Sequence, residues 1–171
     1  VLTAIKAAGL TPANHNGKGQ VVAAGTVEQL EAFAAKPPSR TRLFPLSVAG
    51  AFHTVHMEPA VDHLREVAAA MPTTTPSVAL LSNLDGNVVT DGREFANRLV
   101  NQVAHPVRWD LCMDTMVERS VTGLLELAPA GTLTGIAKRN LKGVELFNLN
   151  TPDQIPAARE FVAAHSSKEN A

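Results

Sequence analysis

Apolar positions recur along this chain in two rhythms, one of helices and one of strands. Leu2, Ile5 and Ala8 share one face of a short helix that Gly9 can end. Pro12 to Asn16 and Gln20 to Gly25 read as short strands around the turn Gly17-Lys18-Gly19. Thr26 and Gln29 have capping-box spacing and open a helix to about Ala35, which Pro37-Pro38-Ser39 stops. Arg40 to Ser47 returns as a strand. A helix from about Met57 to Ala70 buries Ala60, Leu64, Val67 and Met71. Ser77 to Asn83 is nearly continuous apolar sequence, as a strand buried on both faces would be. Asp85-Gly86 turns the chain into Asn87 to Thr90. Helices from about Arg93 to Val103 and Trp109 to Glu118 follow. Then come a strand over Thr122 to Leu127, a helix over Thr132 to Arg139 and a strand over Val144 to Leu149. Thr151 caps a last helix with Pro152 at its first position.

Strands alternating with helices imply an α/β protein with a mostly parallel sheet. The opening order of helix, strand, strand, helix, strand matches a ferredoxin-like β-α-β-β-α-β unit whose first strand is missing. That strand would lie inside its sheet, between Gln20 to Gly25 and Thr41 to Leu46. Two open strand edges are therefore expected, and with them a chain prone to associate when alone.

Composition narrows the function. The 171 residues are 45% hydrophobic and 18% charged, which describes a folded chain of about one domain. A net charge of −1 leaves no basic field for nucleic acid or an anionic membrane. No apolar run nears the ~18 residues of a membrane span, and the first residues lack a signal-peptide pattern. The single cysteine, Cys112, fits a reducing, cytoplasmic setting and reads as a small buried hydrophobe. A start on Val1 raises the expectation of a longer parent protein.

The stretch with the most chemical content is Val48 to Met57, Val-Ala-Gly-Ala-Phe-His-Thr-Val-His-Met. Gly50 lets backbone approach backbone. His53 falls where a strand ends and a helix begins, a usual place for chemistry in an α/β fold. Its imidazole can take and return a proton near neutral pH. By position alone His53 can equally be a helix-entry residue bonded to backbone. A metal site at His53, His56 and His63 is not expected, because no cysteine or acid sits at zinc-site spacing.

Four stretches in order give the chain a resemblance. Gly50-Ala51-Phe52-His53-Thr54, with Met57 and Pro59, resembles the histidine motif of malonyl-CoA:acyl carrier protein transacylases. Asn14-His15-Asn16 with Gln20 to Gly25 resembles the segment upstream of it. Asn101 to Trp109 resembles the family's Q…PV.W motif, and Glu126 to Gly135 its E.GPG..L.G motif, with Ala128 in place of the first glycine. The similarity runs from about Ala7 to Asn150.

The resemblance implies a large α/β-hydrolase-like acyltransferase core with an inserted ferredoxin-like small subdomain. On this chain those become an incomplete small subdomain over 1–47, the C-terminal part of the large domain over 48–165, and a frayed tail over 166–171. It also implies transfer of malonyl from malonyl-CoA to the phosphopantetheine thiol of acyl carrier protein, through a serine acyl-enzyme in fatty-acid biosynthesis. His53 would be the base. Gln102 would orient it through its main-chain carbonyl, leaving its side chain free to line the pocket. Phe52 would crowd an α-methyl group and favour malonyl, a discrimination of ~1–3 kcal/mol, or else simply pack in the core. Asn14 and Asn16 would face substrate. Asn83 would line the pocket or cap a turn.

None of Ser39, Ser47, Ser77, Ser82, Ser120, Ser166 and Ser167 lies in a G-x-S-x-G elbow. The nucleophile, the oxyanion segment and the carboxylate-binding arginine are thus expected in an N-terminal portion outside this chain. Arg40, Arg42, Arg93 and Arg108 read as solvated surface charge. The expected partners are that portion, acyl carrier protein and the coenzyme A thioester, with no cofactor and no metal. The competing reading is a non-catalytic, acyltransferase-like partner that docks acyl carrier protein or complements a split enzyme.

Overall fold

The structure is a computed structural model that describes residues 1–166. Most of the expected frayed tail lies outside the described residues; Ser166, its first member, bonds Val162 O through both its amide (2.9 Å) and its hydroxyl (2.7 Å). The chain divides into two compact units, Val1–Cys112 and Met113 onward.

In the first unit α1 (Leu2–Ala7) leads into β1 (Thr11–His15), which pairs antiparallel with β2 (Val21–Ala24) in the register Thr11 to Ala24 and His15 to Val21. Thr26 and Gln29 form the expected capping box at α2 (Val27–Ala35), and the Gln29 amide reaches on to Gly9 O at 3.1 Å. A 3₁₀ turn over Val55–Met57 opens α3 (Glu58–Ala69). Next come β3 (Leu80–Leu81) and β4 (Val88–Val89), an antiparallel hairpin whose turn holds Asp85 and Gly86, as expected. Asp91 caps α4 (Gly92–Gln102) by accepting from Glu94 N. β5 (Val107–Arg108) pairs parallel with β1, giving the sheet order β2-β1-β5. α5 (Trp109–Glu118) has the extent read from the sequence and crosses the division between the units.

The second unit is a βαβ arrangement. β6 (Gly123–Leu127) and β7 (Glu145–Leu149) pair in parallel along their whole length, with α6 (Thr132–Asn140) between them in sequence. A 3₁₀ turn over Pro152–Gln154 leads into α7 (Ile155–His165), which packs on both strands. The Phe161 ring is 5.5 Å from that of Phe147 and 4.5 Å from that of His165. No helix of the described residues is long and apolar enough to cross a membrane.

Several expectations fail for a common reason. Arg40 to Ser47 forms no strand; residues 42–49 are exposed, Phe44 at 76% and Leu46 at 60%. A strand exists only by pairing, and among the described residues no strand pairs with this segment; Pro45 also lacks an N–H to donate. Of the two open edges read from the sequence, that of β2 is present among the described residues, since β2 ends its sheet with β1 as its neighbour, while the other would have belonged to Arg40 to Ser47, which forms no strand. The strand over Ser77 to Asn83 shrinks to Leu80–Leu81 with one hairpin partner, and Val78 is 74% exposed. The α3 stripe of Leu64, Val67 and Met71 is exposed, not buried, and the helix stops at Ala69. Its pattern is amphipathic, but burial needs a second surface, and α4 is the helix it packs against. In place of the mostly parallel sheet, the described residues form three small sheets, with two parallel and two antiparallel pairings.

Gly86 is a position where glycine is required. Its φ is +74°, and a Cβ there would come within 2.5 Å of the Leu111 carbonyl carbon and oxygen. Gly86→Ala is expected to lose ~2–5 kcal/mol, combining left-handed strain with a backbone clash. Gly19→Ala is the matched control, since its φ of +79° is similar but nothing lies within 4 Å. Thermal unfolding of the two variants should show a clearly larger drop in Tm for Gly86→Ala. Equal drops would mean that the approach of Leu111 does not constrain the turn.

Candidate active site

His53 is built into the structure by the end of a distant helix. The last carbonyls of an α-helix have no partner within the helix and must find donors elsewhere. At the end of α4, Val103 O accepts the His53 backbone N–H at 2.9 Å, and Gln102 O lies 2.8 Å from His53 Nδ1. A carbonyl oxygen only accepts, so the proton of the neutral ring sits on Nδ1 and the lone pair on Nε2. The contact that the resemblance implied between His53 and the Gln102 main chain is thus present in the geometry.

The backbone of His53 is unusual. Its φ is +63°, in the left-handed region that non-glycine residues seldom adopt, and such strain persists where surrounding bonds over-determine it. Thr54 supplies part of that determination. It is 1% exposed, its hydroxyl donates to Ala51 O at 2.6 Å, and the same oxygen accepts from His56 N at 3.3 Å. Thr54 thereby caps the 3₁₀ turn that starts two residues after His53. Its fixing role was not read from the sequence. The signal was a threonine standing at an N-cap position before the helix.

The remaining candidates are placed differently. Phe52 is 47% exposed, which removes simple core packing as its explanation in this chain. Gly50 is not sterically demanded, because a Cβ there would meet only the Phe52 ring at 3.7 Å. Asn14 is half-buried on β1 and pairs in register with Val107, while Asn16 is buried just beyond that strand. Asn83 is half-buried, and its carbonyl accepts from Arg108 N at 2.7 Å. Asn14 and Asn83 therefore both flank the segment that follows Gln102. Among the described residues, Gln102 is the hydrogen-bond partner of the His53 ring. His56 and His63 are exposed.

Two arginines differ from expectation. Arg93 donates to Ala68 O at 2.7 Å and Met71 O at 2.5 Å, a cation closing the C-terminal end of α3. Arg108 forms a two-pronged pair with Asp110, Nε to Oδ1 and Nη2 to Oδ2, both 2.9 Å. Burial pushes the Asp110 carboxyl up, but bonds from Arg108 and Leu111 N and the Arg108 charge outweigh it and leave it below the usual range. Arg40 is exposed and Arg42 likewise, as read from the sequence. Cys112 is 1% exposed, and its thiol donates to Ser82 O at 3.4 Å. Burial, with the Asp110 and Asp85 charges, pushes that thiol up to about 11, so it is held protonated.

Glu126 has a role that sequence reasoning missed. It is the next-to-last residue of β6, is 8% exposed, and accepts from Gly131 N (2.9 Å), Leu133 N (2.9 Å), Thr134 N (2.8 Å) and the Thr134 hydroxyl (2.9 Å). Burial pushes the carboxyl up, but those four donors prevail and hold it at about 2. The motif from Glu126 to Gly135 is here a strand-end carboxylate that caps the next helix. Asn150 clamps the loop between them, accepting from Ala130 N at 2.8 Å.

In sequence and fold alike the chain is of the acyltransferase type. No protein-family model matches it. The malonyl CoA-acyl carrier protein transacylase of Mycobacterium tuberculosis is 47% identical over 152 residues, which are 89% of this chain and 50% of that protein. The crystal structure of MCAT from Mycobacterium tuberculosis aligns with a TM-score of 0.88 at 46% identity, covering 92% of this chain and 52% of that one. A complex of a type II PKS acyl-carrier protein with its malonyl-transacylase (PlMCAT:AntF, holo) aligns with a TM-score of 0.83 at 30% identity, over 92% of this chain and 53% of the neighbour. The chain belongs to the malonyl CoA-acyl carrier protein transacylase family, and it spans about half the length of the curated relatives it matches.

Proposed function

We propose that this chain is the base-bearing, C-terminal portion of an enzyme that moves malonyl from coenzyme A to the phosphopantetheine thiol of acyl carrier protein. The observation that carries the reading is the His53 imidazole, whose Nδ1–H is held by Gln102 O at 2.8 Å, which leaves the Nε2 lone pair to act as a base. A serine on a segment outside this chain gives its proton to His53 Nε2 while its oxygen attacks the malonyl thioester carbonyl. The tetrahedral adduct collapses, and the departing coenzyme A sulfur takes the proton back. The carrier-protein thiol then repeats the cycle, losing its proton to Nε2 as sulfur attacks the malonyl ester, and the serine oxygen leaves with that proton, which restores the hydroxyl and the neutral ring. Throughout, the Gln102 carbonyl keeps the ring in one tautomer and orientation, as a carboxylate does in other triads.

In this reading Phe52, Asn14, Asn16 and Asn83 face the acyl group. Phe52, whose ring stands open, selects malonyl over bulkier acyl groups. Residues 1–47 belong to a ferredoxin-like small subdomain, and residues 48–165 to an α/β-hydrolase-like core completed by the serine-bearing segment. The substrates are malonyl-CoA and the phosphopantetheinylated carrier protein, with no further cofactor or metal, in the cytoplasm during fatty-acid synthesis. The exposed apolar residues Phe44, Leu46, Val67 and Val78 support the idea that more polypeptide packs here. A non-catalytic partner that docks the carrier protein, or completes an enzyme made in two pieces, is the second reading.

Intact-mass analysis with malonyl-CoA tests the division of labour. The chain alone is expected to acquire no malonyl adduct. Mixed with the unmatched half of the Mycobacterium tuberculosis relative, it should support transfer to carrier protein, with the adduct on that half. A malonyl-serine on this chain would overturn the proposal, and assembly without transfer would favour the non-catalytic reading.

A further inference from the structure

The side-chain amide nitrogen of Gln102 is engaged within the chain. This Nε2 donates to His105 O at 2.8 Å and to Pro106 O at 3.1 Å, so both amide protons are spent on the chain just beyond α4. Gln102 is the last residue of α4, and the segment its amide spans carries both acceptors of His53, Gln102 O and Val103 O. Backbone bonds alone hold this exit loosely. Ala104 N reaches Asn101 O at 3.2 Å and His105 N reaches Gln102 O at 3.3 Å, both long, and Pro106 has no N–H to offer. Beyond the clamp, Val107 and Arg108 are fixed by pairing with Asn14 and His15.

From this geometry we infer that the Gln102 side chain is a positioning residue for His53. By tying its own helix end to the carbonyls of His105 and Pro106, it sets the direction of the Gln102 and Val103 carbonyls. Those carbonyls in turn hold the His53 ring in its Nδ1–H form and its backbone in the left-handed region. The word positioning rests on the reading of His53 as the base, but the tautomer control does not. A donor is what the clamp needs. A methionine of similar length fills the space without donating, and an asparagine keeps the amide but is one methylene shorter than the span to both carbonyls.

The test reads the ring directly. Two-bond proton–nitrogen correlation spectra of the ¹⁵N-histidine chain at a pH where the ring is neutral report which nitrogen carries the proton. His53 is assigned by the signals lost in His53→Gln, and amide dispersion shows that each variant is folded. The unsubstituted chain is expected to show His53 as the Nδ1–H form. In Gln102→Met the share of that form should fall by half or more, while His165, whose Nδ1 is 2.9 Å from the Thr122 hydroxyl in the second unit, is the internal reference and should not change. Should Gln102→Met not fold, Gln102→Asn gives the same reading. An unchanged His53 tautomer in a folded variant overturns the inference, as does an Nε2–H form in the unsubstituted chain. In the complemented enzyme Gln102→Met should lower kcat about tenfold or more, as loss of a histidine's outer partner does at metal sites, with KM within twofold. A KM effect with kcat kept would mean that the side chain touches substrate, against the inference. If no transfer is seen in any complemented sample, the proposed function fails while the tautomer result still decides this one.

Discussion

His53→Ala, in the chain complemented with a serine-bearing half, is expected to lower malonyl transfer by roughly a thousandfold or more. A nucleophile and its base act as a unit, so removing either forfeits nearly the whole covalent contribution and leaves only binding and oxyanion stabilisation. The loss should appear in kcat/KM for transfer from labelled malonyl-CoA to carrier protein. The fold should survive, because the backbone N–H at position 53 still reaches Val103 O and the Thr54 hydroxyl still holds Ala51 O. His56→Ala and His63→Ala are the matched controls. Both side chains are exposed on the neighbouring turn and helix, and each substitution should change the rate by less than about twofold, the usual size of surface effects. Similar losses at all three positions would show that the helix entry as a whole is fragile and that His53 has no special part in proton transfer.

A large effect on stability is expected at Glu126. Glu126→Ala leaves three backbone N–H groups and a hydroxyl without their acceptor at the start of α6, at a cost of roughly 2–5 kcal/mol. Glu126→Gln should fall between, since an amide offers one acceptor oxygen and turns an NH₂ toward the remaining donors. The carboxyl sits at about 2 against an ordinary value of 4.5, so it is depressed in the folded state. Stability from a depressed acid is fully present above the ordinary value and drains away as pH falls toward the folded one. Denaturant midpoints should therefore separate the unsubstituted chain from Glu126→Gln widely at pH 7, and the gap should narrow from about pH 5 down to pH 2. A gap that does not depend on pH would show that shape, not charge, is what the helix start requires.

Elements whose determinants are local were legible in the residues. The Thr26–Gln29 capping box, the Asp85-Gly86 hairpin and the extent of α5 each rest on interactions within a few positions of sequence. So does the alternation that gives β6, α6 and β7, because a parallel pair needs a crossover and the helix supplies it. The motif around His53 pointed to the histidine, to its family and to the Gln102 main chain as its partner.

What the residues alone left undecided needed neighbours. Arg40 to Ser47 and Ser77 to Asn83 have the composition of strands, but a strand is a pairing and its partners are set elsewhere. The stripe of Leu64, Val67 and Met71 declares a buried face, yet whether that face is covered depends on what packs against it. The roles of Thr54, Glu126 and the Gln102 amide likewise emerge only when loop ends and helix ends meet. An unpaired N–H or carbonyl at such an end must find a partner, and the partner can stand 49 residues away, as His53 does from Gln102. By itself the sequence determined the family and the local elements. Tertiary structure added the Val103 carbonyl to the Gln102 carbonyl that the resemblance implied, and with them fixed the tautomer of His53, because those contacts join segments that no local pattern relates.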